Sequence, residues 1–206
     1  MLILKNSIKR LLALFGWKLK GISKVPKAVT DIDDSIIPKK VNYACGKIVM
    51  EGWLNVDIAA KTSDAILLVD LTEKQPFKNN FFEFSFCEDF IEHLSQPDSF
   101  IFLSEAYRTL KPGGVFRLSF PCLDGQCLHG PKFSDYESAK TVKDEFYEAY
   151  GHVHLYSKQE FEQVCKHIGF CNLEFKEFGE SDHPELQSLE WRDHVKHYNA
   201  YVELTK

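Results

Sequence analysis

Four short stretches of this 206-residue chain end in residues suited to holding a polar small molecule. Ala44-Cys45-Gly46 closes an apolar run with a small-residue turn. Such a turn lets a ligand approach the backbone, whose N–H groups can hold a carboxylate or phosphate. Asp57 closes the next run, where an acid can accept hydrogen bonds from both hydroxyls of a ribose. Asp70-Leu71 closes a third, pairing an acceptor for an amino group with an apolar side chain for a flat ring. Cys87-Glu88 closes a fourth, near the reacting end of any cofactor the other three hold. A lone strand-end Asp is more often a turn or cap residue. Four such tips in succession are hard to assign to structure alone.

A second set lies in 122–136 and 148–156, which hold His129, His152 and His154 with Tyr136, Tyr150 and Tyr156. A His near neutral pKa suits proton transfer. His152-Val153-His154 could put two rings on one face of a strand, but no third ligand is evident and no metal is expected. His93, on the helix after the fourth run, reads as structural.

The elements that must position these residues follow from apolar runs alternating with helical periodicity. Strands are expected at 40–44, 53–56, 65–69, 81–86 and 115–120. A helix spans 97–110, with Pro97 in its first turn, Phe100, Leu103, Ala106, Tyr107 and Leu110 on one face, and Lys111-Pro112-Gly113-Gly114 as its stop. A second helix spans 157–169, with Ser157 as N-cap, Glu160 completing a capping box and Gly169 as terminator. Strands at 171–178 and 200–205 alternate like a half-exposed antiparallel edge. This is an α/β pattern with a mostly parallel, seven-stranded sheet. Only six residues, Lys47 to Gly52, link Gly46 to the second strand, whereas a parallel crossover normally needs a dozen or more. The first connecting helix is therefore absent or reduced to a turn.

Composition is that of a soluble globular protein, 44% hydrophobic and 27% charged. Six cysteines show no CxxC spacing and read as reduced thiols in a cytosolic protein. The first 30 residues carry seven Lys or Arg and no acid, leaving 18 of the 25 basic residues beside all 30 acids in the remainder. So acidic a body is a poor nucleic-acid binder. Residues 1–24 form a basic amphipathic helix, with Leu4, Ile8, Leu11, Leu12, Phe15 and Leu19 at helical spacing, and 25–39 a linker. Two readings stand for that helix: packing on the body or on a second copy in a homodimer, or peripheral contact with an anionic membrane at its inner, cytoplasmic face. Its apolar run is too short for a signal peptide and no small-residue cleavage site follows.

The order ACG, NVD, VDLTEKQPF, FCEDFIEHL and LSEAYRTLKPGGVFRLSFP resembles class I S-adenosylmethionine-dependent methyltransferases of the small-molecule branch, over about 40–206. The tail FGESDHPELQSLEWRD followed by AYVELTK is similar to a subfamily associated with bacterial surface-polysaccharide synthesis. The resemblance implies a Rossmann-like domain at 40–206 and S-adenosylmethionine as cofactor. By it, Ala44, Cys45 and Gly46 face the methionine, Asp57 the ribose, Asp70 and Leu71 the adenine, and Glu88 the methionine amino group or the methyl, with Tyr43 and Cys87 completing the set. The first turn departs from the family, since Ala44 and Cys45 stand where Gly is usual and Asn42 and Tyr43 precede it. Without the connecting helix, its N-terminal dipole is unavailable to the carboxylate.

The expected activity is O-methylation of a small-molecule or glycan-linked acceptor. His154 is the expected base, with His152 beside it, and His129, Tyr136, Tyr150 and Tyr156 line the acceptor. The alternative is a non-catalytic subunit that keeps the fold for binding or assembly. A nicotinamide enzyme is disfavoured because no GxGxxG occurs. On the membrane reading, the full chain binds anionic vesicles at low salt and loses that binding when residues 1–24 are removed. Indifference of the full chain to such vesicles assigns the segment to packing or dimerisation.

Overall fold

The structure, a computed structural model, describes residues 37–59 and 66–206. The basic segment 1–24 and most of the linker lie outside the described residues. Seven strands form one sheet: β1 Lys40–Tyr43, β2 Leu54–Asp57, β3 Ile66–Leu68, β4 Phe82–Glu88, β5 Leu110–Pro121, β6 Asn172–Lys176 and β7 Asn199–Thr205. Their order is β3-β2-β1-β4-β5-β7-β6, parallel except for β7, which runs antiparallel to both neighbours. This is the expected Rossmann-like sheet.

Four α-helices accompany it among the described residues: α1 Gln96–Thr109, α2 Leu123–His129, α3 Tyr136–Val142 and α4 Lys158–Ile168, with a π-helical turn at Lys143–Glu148 and short 3₁₀ turns besides. The Ser95 side chain caps α1 through the Asp98 N–H. Its core face is Ser99, Phe102, Leu103, Ala106 and Thr109, whereas Phe100, expected to face inward, is exposed. Lys111 to Gly114 do not merely stop α1; they lie within β5, which starts at Leu110. Ser157 caps α4 through the Glu160 N–H. The expected reciprocal bond does not form, because the Glu160 carboxylate accepts from Gln96 Nε2 instead (2.8 Å).

One sheet face is conventional. Phe102 of α1 meets Tyr43 and Phe116 edge to face, and Phe161 of α4 lies 4.7 Å from Phe120. The other face is covered without helices where β1, β2, β4 and β5 cross it. The link 44–53 between β1 and β2 contains no helix, as its length predicts. It is held instead by two buried asparagines on neighbouring strands. Asn42 Nδ2 donates to Asn55 Oδ1 (3.0 Å) and to the Ile48 carbonyl (2.9 Å). Asn55 Oδ1 also accepts from the Met50 N–H, and its Nδ2 donates to the Met50 and Trp53 carbonyls. The pair thus satisfies link backbone that a helix would have satisfied internally. Trp53 then folds over the sheet against Phe86, Val115 and Leu186.

Beside that cluster, on β5, is Arg117, which is fully buried. Its Nε donates to Glu190 (2.6 Å), and its Nη1 donates to Glu203 of β7 (3.0 Å) and to the Glu180 carbonyl (2.7 Å). The side chain therefore ties the 177–190 segment onto the sheet. Replacing it leaves Glu190 buried without its cation, a loss of about 3–5 kcal/mol. Arg117→Leu is expected to lower unfolding stability by that amount in urea titrations; a stability equal to wild type refutes this role.

Candidate active site

The strands build outward in one direction from β1 through β2 to β3, and in the other from β4 to β5. The switch point lies between the neighbouring tips of β1 and β4, where ligands bind in open parallel sheets. Both tips carry a non-glycine residue in the left-handed region, Ala44 at φ 50° and Asp89 at φ 48°. Each such residue costs of order 1–3 kcal/mol and persists where the surroundings fix it, often at functional sites.

The first three tips lie at the ends of the adjacent strands β1, β2 and β3. Asp57 is fixed over the first turn, its Oδ2 accepting the Gly46 N–H and its Oδ1 the Ala59 N–H, both at 2.9 Å. Each oxygen keeps a second lone pair for a ligand hydroxyl. The turn N–H groups expected to hold a carboxylate are engaged within the protein, because the Cys45 N–H bonds the Val56 carbonyl. Burial and the Asp57 charge push the Cys45 thiol up to about 12, so it stays protonated. Asp70 Oδ1 accepts from the N–H and hydroxyl of Thr72, and Leu71 is buried beside it. Tyr43 is a core residue: its ring is enclosed by Phe82, Phe102 and Phe116, and its hydroxyl bonds Thr109. Cys87 is likewise buried, its thiol pushed up by burial and then by Glu92.

Glu88 ends β4 half-buried, and burial, then the Asp89 charge, raises its carboxyl to about 7. The Trp191 backbone bonds it. Asp89 accepts from Arg192 Nη1 (2.5 Å) and Asn199 Nδ2 (2.9 Å). Sequence reasoning missed Asp89, Trp191 and Arg192; the only local signal was the acid run Glu88-Asp89 at a strand tip.

The two histidines of 152–154 part company. Both their loop and the β4 tip are joined by backbone, since the Val153 and His154 N–H groups bond the Glu92 carbonyl (2.7 and 3.1 Å). His154 Nε2 turns to Glu160 (3.0 Å), and its ring abuts Tyr156. His152 turns inward, its ring 5.2 Å from His93 and stacked on Tyr150. Burial and then His93 push its pKa down to about 4, so it is neutral at physiological pH. Of the expected acceptor-lining residues, only Tyr150 stays with His152. Tyr156 is a core residue bonded to Ser99, with Phe120 and Phe161 against it. His129 is exposed and pairs with His197, and Tyr136 is exposed on α3. His93, expected to be merely structural, faces the site from a 3₁₀ turn, Ile91–His93.

Asp57 and Asp70 thus fit ribose and adenine recognition, and Glu88 an ammonium, while the methionine carboxylate has no N–H pair waiting at Cys45 and Gly46. Residues 29–118 match the family model of a methyltransferase domain. Across the whole chain the fold is similar to an S-adenosylmethionine-dependent methyltransferase of Thermotoga maritima described as a possible histamine N-methyltransferase. Identity is 14%, the TM-score 0.54, and 97% of this chain and 89% of that one are covered. An S-adenosylmethionine-dependent methyltransferase of Mesorhizobium loti gives 16%, 0.52, 84% and 94%. Phosphoethanolamine N-methyltransferase 2 of Haemonchus contortus, solved with S-adenosylhomocysteine, gives 15% and 0.53; 98% of this chain spans 52% of that one. No curated protein matches by sequence. The likeness to a methyltransferase domain thus spans residues 29–118, less than half of the chain, and the fold is one shared with S-adenosylmethionine-dependent methyltransferases.

A carboxyl raised to about 7 is protonated in the folded protein at a pH where the unfolded chain has lost the proton. Its contribution to stability is therefore full below about pH 4.3 and lost as pH rises toward 7. Ligand binding runs the other way, because only the carboxylate attracts the ligand ammonium. S-adenosylhomocysteine affinity, measured by calorimetry, is expected to rise between pH 6 and 8 and to lose that slope in Glu88→Gln. The same slope in both proteins removes Glu88 from the amino-group site.

Proposed function

We propose that this chain methylates a hydroxyl oxygen on a small-molecule or glycan-linked acceptor. When bound, S-adenosylmethionine supplies a methyl group on a positively charged sulfur. The chain's own residues then have to aim the acceptor oxygen along the sulfur–carbon axis and remove its proton as the new bond forms. One observation carries the reading. A neutral imidazole, His152, is held against the β4 tip beside Glu92 and His93, next to the switch point at which ligands bind in open parallel sheets. We assign proton removal to that cluster and not to His154, whose Nε2 is occupied by Glu160. A glycan-linked acceptor is favoured by the tail residues 178–193, which deliver Trp191, exposed, and Arg192 to the same rim. An aromatic face beside a cation and several acids suits a hydroxylated ring.

A second reading, a non-catalytic binding subunit, draws on the engaged N–H groups of the first turn. Residues 1–24 bear on the acceptor too, since membrane contact would bring the site to a lipid-linked glycan. Hydroxylated small molecules and glycan-linked acceptors are to be screened for S-adenosylhomocysteine release. His152→Ala is expected to lose turnover by about 100-fold or more with S-adenosylhomocysteine affinity unchanged, and His154→Ala to keep most of it. Turnover lost only in His154→Ala reverses the assignment, and a wild-type chain that does not bind S-adenosylhomocysteine favours the second reading.

A further inference from the structure

Glu92 is 1% exposed, yet neither of its carboxylate oxygens has a hydrogen-bond partner. An ionised carboxylate so placed is costly unless a cation compensates it. Around it stand two imidazoles: the ligand atoms of Glu92, His93 and His152 all lie within 4.8 Å of one another. His152 Nδ1 is buried and also without a partner, and the His152 backbone N–H bonds the Tyr147 carbonyl. His93 lies with Nδ1 3.3 Å from the Gly151 carbonyl; a carbonyl only accepts, so Nδ1 carries the proton and Nε2 presents its lone pair, 3.5 Å from Glu92 Oε1. His93 thus has one ring nitrogen anchored to backbone and the other toward the carboxylate, and His152 brings a buried ring nitrogen to the same cluster. That is the arrangement by which proteins orient metal-binding imidazoles.

We propose that Glu92, His93 and His152 form a site for a divalent transition-metal ion. Two imidazole nitrogens and one carboxylate, with no thiolate, suit zinc, manganese, iron(II) or cobalt in preference to calcium or magnesium. Three protein ligands leave positions for water or for an incoming hydroxyl. The site is rigid: Glu92 and His93 share the 3₁₀ turn after β4, and the His152 loop is bonded to the Glu92 carbonyl. The Arg192 charge nearby is compensated by Asp89. The expectation of no metal rested on His152 and His154 as the only pair; the ligands come instead from positions 59 residues apart in the chain. The ion's role in acceptor activation rests on the proposed O-methylation and refines it: bound to the acceptor oxygen, the ion would lower the hydroxyl pKa, so that the cluster removes the proton by passing it to water, with His152 acting through the ion it holds.

The test uses the full chain stripped of metal with a chelator and titrated with zinc, manganese or cobalt ions alone. Saturable binding is expected by calorimetry, with a visible absorption band for cobalt. His152→Ala and Glu92→Gln are each expected to weaken it by about 10–100-fold or more. Wild type that shows no saturable binding overturns the site, as do both variants binding like wild type. If Glu92→Gln does not fold, His152→Ala decides, its fold checked by circular dichroism. S-adenosylhomocysteine affinity measured in parallel separates the two failures: cofactor bound without metal sinks only the metal site, whereas metal bound without cofactor sinks only the methyltransferase reading.

Discussion

Arg117 is the interaction on which the rim depends. A guanidinium buried in the middle of a strand has five donors to satisfy and no water to do it. Here it takes carboxylates from two directions, Glu203 on the next strand and Glu190 from the tail, and a carbonyl at Glu180. The tail between them cannot lift away without stranding charges. The next residues, Trp191 and Arg192, are therefore delivered to the β4 tip, where they meet Glu88 and Asp89. An ion pair on another strand thus helps to place the two residues, Trp191 and Arg192, that lie against the buried carboxyls of that tip.

The same sheet face shows how a doubly wound fold survives the loss of a helix. A helix between β1 and β2 would have covered Asn42 and Asn55 with apolar side chains. Instead the two amides hydrogen-bond each other and the link's own backbone, and Trp53 with Leu186 supplies the missing apolar cover. The first turn remains left-handed and places Asp57 over Gly46. What disappears is the helix N-terminus that would have faced a carboxylate.

The strands and the Ser157 cap were legible because each is a local pattern: an apolar run, or a hydroxyl three residues ahead of its N–H. Strand-tip acids were legible for the same reason. Asn42, Asn55 and Arg117 were not, because a polar residue inside a strand reads as the solvent-facing half of an alternation, and its partners lie up to 86 residues away. Tyr156 failed in the opposite sense. A tyrosine beside histidines reads as site chemistry, yet its ring fills the space between β5 and α4. Glu92 and His93 lie within the local pattern FCEDFIEHL, but only the fold brings His152 back onto them.

The segment from Leu123 to Tyr150 is closed at its base and packs on Tyr198 through Gly125, His129 and Phe146. On one side the Leu123 N–H bonds the Tyr156 carbonyl; on the other the Val153 and His154 N–H groups grip the Glu92 carbonyl. Closing a loop at its base makes its length nearly neutral for the fold, since each doubling of a flexible loop costs only about 0.6 kcal/mol. Insertions and deletions are therefore cheapest around α3, whereas α2, packed on Tyr198, and the stretch Tyr147 to Tyr150, which holds His152, have to stay. The chain is built like a tool whose grip reaches into its head: the part of the excursion nearest the sheet is fixed with the handle, and only the far end around α3 is free to change shape.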